Sequence, residues 1–303
     1  MIQSAALALL LGFELSYYLL IVQTGIAEHY HSDLIQLFPL FVGGVAGTIL
    51  SGHPWGKITN PLHKIYIALS LQLLLSFLYP NYNPFTLGLL GIAVGIMAPL
   101  NIYLFKAHQR YELLFGLAIA YTVGTNAFTT FADHREWMAV IFSLITLGSA
   151  LVLYRYKVDE EVQTSSRSFI AYLPLMLWIL LDSTLFETLS RHEGLMIWSE
   201  KTYTITLFHL LGLLGAFFMI RVDEFKQHLI IALLFTCSYS LSYLEWPTAL
   251  AILYPFTISY YGVIVFVTLS KESSLQKLSC LMVFIGWIAS GLGLALALSK
   301  ILH

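Results

Sequence analysis

The sequence predicts an all-helical, polytopic membrane protein with about 11 transmembrane helices, arranged as two pseudo-repeated halves of six and five. Three observations carry this. Of the 303 residues, 58% are hydrophobic and 11% charged, and the mean hydropathy of +0.78 lies outside the range of soluble globular domains. Apolar runs of about 17–25 residues recur along the whole length, each long enough to cross a hydrocarbon core of about 30 Å as a helix. Acids and glycines also recur at one fixed offset between the two halves. The lipid bilayer is therefore the first partner implied. A net charge of −2 with no basic stripe gives nothing for nucleic acid to bind.

Charges, prolines and polar clusters punctuate the runs. Helices are expected near 3–23, 33–51, 64–80, 84–105, 111–132, 137–155, 168–190, 203–220, 228–244, 247–269 and 277–299. The first has no basic segment before it, contains Glu14 and lacks a small-residue cleavage site, so it reads as a retained helix that doubles as the insertion signal. The second follows the polar loop "GIAEHYHSD" and carries Gly44 and Gly47. Only "YPNYNP" separates the third from the fourth, and the fourth holds Gly95 and Pro99. Before the sixth stands "DHREW", with Trp137 at headgroup depth. The seventh and eighth hold Asp182 and His209. "EWP" divides the ninth from the tenth, where Pro255 marks a bend. Cys237 and Cys280 fall inside apolar runs, as weakly polar packing residues outside any disulfide framework.

The most polar connection, "RYKVDEEVQTSSRS", follows the sixth helix. It is expected to be a cytoplasmic hinge at 157–167 between an N-terminal half, 1–156, and a C-terminal half, 168–303. Most of the 15 Lys and Arg, among them Lys57, Lys64, Lys106, Arg110, Arg155, Lys157, Arg221 and Lys277, fall in alternate connections. The positive-inside rule then places the N-terminus in the cytoplasm and, with 11 helices, the C-terminus outside. The expected location is a bacterial cytoplasmic membrane.

Shifting the first helix by 168 positions puts Glu14 on Asp182, Ser16 on Thr184 and Tyr18 on Phe186. The same shift places Gly44 and Gly47 on Gly212 and Gly215. Later "LSFLYP" faces "LSYLEWP", and Pro99 faces Pro255, with the register drifting as loops differ in length. A six-helix repeat unit is even, so both halves enter the membrane from the same side. This combination resembles the major facilitator superfamily: two six-helix halves, a cytoplasmic central loop and N-terminus, and acids in the first helix of a half. The resemblance covers essentially the whole chain and rests on architecture. It implies a secondary transporter that moves a small molecule or ion by alternating access. After its second helix that family commonly has a Gly-x-x-x-Asp-Arg-x-Gly-Arg loop; here "GTILSGHPWGKITNPLHK" keeps glycines and basic residues without the aspartate. The family's gating salt bridge loses its acid.

A carboxylate at mid-bilayer costs about 2.5–3.5 kcal/mol on insertion scales and faces a bundle interior or an aqueous cavity by default. Glu14 and Asp182 are thus the candidate groups for exchanging a proton or meeting a cationic substrate across the space between the halves. The bland alternative ties each to a hydroxyl or amide on a neighbouring helix. Helical spacing puts Tyr17 and Tyr18 on the face of Glu14, and Trp178 and Phe186 on that of Asp182. Glu187 projects about 140° away from Asp182 and lies nearer the membrane edge, where an interfacial role fits it at least as well as a site role. His209 has the chemistry of a proton relay, although a lone membrane histidine is more often an interhelical hydrogen-bond partner. Asn101 and Asn126 are amides suited to orienting a solute or to holding helices together.

Glu28, His29, His31 and Asp33 share one outer loop with metal-ligand types, but no cysteine or second histidine pair stands near, and a solvated loop is the expectation. Motifs of hydrolases, zinc proteases, nucleotide-binding loops and diphosphate-binding acids are missing, so the sequence points to no enzyme and no cofactor. The competing class is a non-transporting scaffold or assembly factor of a larger membrane complex, favoured by the short loops, the missing aspartate and the eleven-helix count.

Overall fold

The computed structural model describes residues 2–30, 33–56, 58, 60–105, 110–130, 132–153, 167–191 and 197–298. Lys57, Lys106, Arg155, Lys157, His31 and all but Arg167 of the expected hinge lie outside the described residues. Among the described residues 11 long helices follow one another, with no β-strand. They are α1 (Ile2–His29), α2 (Leu34–Gly52), α3 (Pro61–Ser76), α4 (Pro84–Leu104), α5 (Arg110–Thr130), α6 (Arg135–Val152), α7 (Leu173–Arg191), α8 (Thr202–Met219), α9 (Glu224–Tyr243), α10 (Pro247–Ser270) and α11 (Leu275–Leu298). Nine of these are long and apolar enough to span a membrane. The exceptions are α3, only 16 residues long, and α9, which opens on the charged stretch Glu224 to Lys226.

Local chemistry sets the helix starts. Asn60 and Asn83 each accept a hydrogen bond from a first-turn amide, at Leu62 and Thr86, and each is followed by proline. The asparagine satisfies a free donor, while proline occupies a position where no donor is needed. Asp33 caps α2 through the Ile35 amide. Between α9 and α10, Glu245 takes a left-handed conformation (φ 55°) that lets the short "LEWP" link reverse the chain.

Two compact units divide the chain: residues 1–166 with 269–283, and residues 167–268 with 284–303. In the first, α2 and α4 cross backbone to backbone. A Cβ added at Gly43 would stand 2.1 Å from the Gly88 carbonyl, and one at Gly95 the same distance from that of Gly44. Only glycine permits this approach. α1 lies against α5 and α6, with Gly12 facing Ile119 and Gly116. The second unit pairs its helices in the same way. Gly212 of α8 meets the Phe256 backbone of α10, and Gly293 of α11 meets Leu180 and Ser183 of α7. Leu180 is where the 168-residue shift puts Gly12. The glycine matches in the sequence thus mark equivalent helix crossings in each half.

Several side chains differ from expectation. Cys237 and Cys280 are exposed on the outer faces of their helices rather than packed inside. Glu187 is buried, because its helix is enclosed on that side as well. Arg135, read as part of a charged loop, is buried; it bonds Glu28 at 2.6 Å and lies over the Phe128 ring. At the end of α2, where the aspartate is missing, Lys64 takes over. Its ammonium donates to the Ser51 and His53 carbonyls, both at 2.7 Å, and sits over the Trp55 ring. A cation at a helix C-terminus answers both the free carbonyls and the helix dipole.

Candidate functional site

In α1, a run of leucines and alanines forms a helix apolar on every side, so Glu14 is carried into the interior of the first unit with only 4% exposed. Gln72 of α3 supplies its partner, Nε2 donating to Glu14 Oε2 at 3.0 Å. The other amide atom, Gln72 Oε1, is buried without a partner. One turn along α3, the Ser76 hydroxyl lies 3.1 Å from the Tyr17 hydroxyl and 3.0 Å from that of Ser143 on α6. Tyr17 and Glu14 therefore share one face, as their spacing predicts. Phe13 and Phe142 pack beside them, centroids 5.5 Å apart. Tyr18, half-buried, borders the cluster around Tyr17, Leu20 and Ile21. From Tyr18 to Ile26 the helix widens into a π-helix, and Thr24 Oγ1 bonds both the Leu19 and Leu20 carbonyls. Such widenings inside α-helices recur at functional sites.

Asp182 has different company in the second unit. Tyr254 of α10 donates to Oδ1 at 2.9 Å, and Tyr261, two turns farther along, donates to Oδ2 at 2.5 Å. Tyr239 of α9 bonds the adjacent Leu181 carbonyl at 2.7 Å. Two aromatic arms run from α7 to these phenols. Trp178, one turn before Asp182, stacks on Phe235, which packs on Tyr261. Phe186, one turn after it, packs on Trp198, which meets Tyr254 edge-on. The indole of Trp178 also donates to His228 Nδ1 at 3.1 Å. Unlike Glu14, Asp182 is partly exposed. Among the described residues neither acid pairs with a Lys, Arg or His side chain, and the partners of each come from its own unit.

The other candidates have local duties. His209 Nδ1 lies 2.7 Å from the Ser259 hydroxyl, and the Pro255 carbonyl also bonds the ring, so this buried histidine joins α8 to α10. Asn126 donates to the Thr122 carbonyl of its own helix at 2.7 Å. Asn101 is buried, and its Oδ1 has no partner. In the outer loop, Asp33 accepts from Ile35 and Gln36 and Glu28 pairs with Arg135, so both carboxylates are occupied. No group of three or more metal-ligand side chains occurs among the described residues.

Sequence reasoning missed Gln72, Tyr254, Tyr261 and Trp198. A signal existed for two kinds of them: Gln72 is the one amide in "IALSLQLLLS", and Tyr254 and Tyr261 recur at a seven-residue interval on one helix face.

No family model and no curated protein matches the sequence. Solved structures do match in fold. The proton:xylose symporter XylE, bound to 6-bromo-6-deoxy-D-glucose, superposes with a TM-score of 0.69 at 15% identity, over 99% of this chain and 89% of that one. The transporter FucP in the outward conformation gives 0.52 at 14% identity, over 98% and 89%. Both belong to the major facilitator superfamily. With its eleven helices, its glycine crossings repeated in each half and these two superpositions, the chain has the major facilitator fold.

Proposed function

We propose that this protein is a secondary active transporter that moves a small solute by alternating access and couples it to protons through Glu14, with Asp182 as its counterpart in the second half. One observation carries the reading: Gln72, which donates to Glu14, also holds a buried oxygen with no partner. A proton on Glu14 gives the carboxyl an O–H donor, and Gln72 Oε1 is the acceptor beside it. Acid and amide then form a reciprocal pair. No cation has to be displaced for the proton to arrive or leave. The fold supports the same reading, since the two superposing proteins are transporters, one of them named as a proton symporter. The proposed setting is a bacterial cytoplasmic membrane with the N-terminus inside.

A second reading, a non-transporting scaffold that keeps the fold, is favoured by the packing of Phe13, Phe142 and Tyr17 around Glu14. Proteoliposomes with a trapped pH-sensitive dye separate the two. Under the transport reading a panel of solutes includes one that drives proton movement, and Glu14→Gln abolishes the coupling. Proton movement that survives Glu14→Gln contradicts the assignment. Silence across the panel, with stable copurification in a larger complex, favours the scaffold.

A further inference from the structure

Glu14 is buried, with Phe13 and Phe142 packed beside it. A proton that reaches it from water must therefore travel over protein groups. Hydroxyls can carry one, because each holds a donor and an acceptor and so takes up one proton as it passes on another. Such groups line up in the first unit. Ser143, Ser76 and Tyr17 form a buried run at 3.0 and 3.1 Å. Next to the Tyr17 hydroxyl stands that of Tyr82, which is buried and makes no hydrogen bond. Tyr82 packs edge-on against Tyr79, centroids 6.4 Å apart. The Tyr79 hydroxyl lies against Gly25 in the π-helical stretch of α1, where an added Cβ would overlap it. Tyr79 is only half-buried; Arg135, Glu28 and Glu136 are the charged groups around it. Arg135 is held by Glu28, whose side chain is 59% exposed. The row thus runs from the interior of the unit to its surface. A buried hydroxyl without a partner costs about 1–3 kcal/mol, so packing alone gives no reason for Tyr82 to be tyrosine and not phenylalanine.

We propose that the hydroxyls of Tyr79, Tyr82 and Tyr17 relay protons between the Glu28 end of the unit and Glu14. On the sidedness set by the basic residues, that end is the outer face. Tyr79 takes a proton from water and passes its own to Tyr82, Tyr82 to Tyr17, and Tyr17 to the Glu14 carboxylate. Each O–H bond that breaks is replaced by one that forms, so every tyrosine ends neutral and the carboxylate has gained one proton. Tyr17 stands one turn beyond Glu14 on the same face of α1, and helical side chains lean toward the N-terminus, which brings its hydroxyl toward the acid. Ser76 is a positioning residue. Its hydroxyl meets that of Tyr17 and also donates to the Gln72 carbonyl at 2.8 Å, tying the relay to the residue that holds Glu14. The proton on Tyr82 is uncommitted, so it turns toward Tyr17 without breaking a bond. Arg135 stays charged and takes no part in the transfer. This rests on the reading of Glu14 as the proton-carrying acid and deepens it by naming the route.

The test is infrared difference spectroscopy on the purified full chain in lipid vesicles after a rapid drop in pH, following the protonated-carboxyl band that Glu14→Gln removes. Tyr82→Phe and Tyr17→Phe should reach the wild-type amplitude at least about tenfold more slowly, since a positioned proton-transfer group contributes that much or more. Tyr66→Phe loses a hydroxyl bonded to the Ala150 carbonyl elsewhere in the same unit, and should keep the wild-type rate. Tyr82→Phe carries the test even where Tyr17→Phe fails to fold, because its hydroxyl has no hydrogen bond to lose; its melting temperature should equal or exceed that of the wild type. Equal slowing in Tyr66→Phe overturns the inference. A Glu14 band that forms at the wild-type rate in Tyr82→Phe removes the route and leaves Glu14 as the proton carrier. A spectrum with no band that Glu14→Gln removes overturns the route and the proton coupling together.

Discussion

Glu14 and Asp182 occupy equivalent positions in the repeat and are held by different chemistry, a carboxamide for one and two phenols for the other. A buried polar group must find its hydrogen bonds nearby or pay the cost of desolvation, so the residues facing an acid decide what it does. Gln72→Leu leaves Glu14 without its donor and should lower stability by about 1–3 kcal/mol in a thermal unfolding assay. The double change Glu14→Leu/Gln72→Leu should recover much of that; equal instability in both would mean that the pair contributes nothing. His209, by contrast, is tied to Ser259 and the Pro255 carbonyl. His209→Ala should lower the melting temperature while leaving the pH profile of transport unmoved, and a displaced profile would make it a relay after all. The sequence displayed the acids themselves, because a charge in an apolar run is conspicuous. It hid their partners, since Gln72, Tyr254 and Tyr261 become recognisable only when α3 and α10 are set beside α1 and α7.

Between elements, the closest contacts run through glycine. A side chain at Gly47 would meet the Ile92 carbonyl at 2.2 Å, while Gly148 has nothing within 4 Å of an added Cβ. Gly47→Leu should therefore prevent α2 and α4 from crossing and abolish recovery of folded protein. Gly148→Ala should be neutral or slightly stabilising, as helix propensity favours alanine. Size-exclusion profiles and melting curves of the two variants check this, and a well-behaved Gly47→Leu would refute the close crossing. The glycine pairs were legible as a pattern, but packing of a single helix pair explained them equally well. Only the partner backbones show that Gly47 and Gly212 serve matching crossings in the two halves. The π-helical segment of α1 had no signal in the sequence, because its hydrogen-bond pattern depends on neighbours that periodicity does not reveal.

At the scale of the whole molecule, hydropathy set out eleven helices whose ends agree with the structure to within six residues, since length and apolarity, which nine of them satisfy in full, are what the bilayer demands. The duplication was legible because two consecutive helices shared one offset. The sidedness of the chain rests on its basic residues alone. In a background with Cys237 and Cys280 replaced by serine, a membrane-impermeant maleimide added outside cells should label Asn81→Cys and spare Pro54→Cys; the opposite pattern would invert the topology. Which solute the proposed transporter takes lay beyond the sequence, because that depends on the relative positions of side chains from several helices, which periodicity does not give. The most direct test of the account is proton movement in dye-loaded proteoliposomes challenged with a panel of solutes under an imposed pH gradient, read against protein-free liposomes. Wild-type protein should move protons with one solute of the panel and Glu14→Gln should move none; proton movement undiminished in Glu14→Gln would contradict the account.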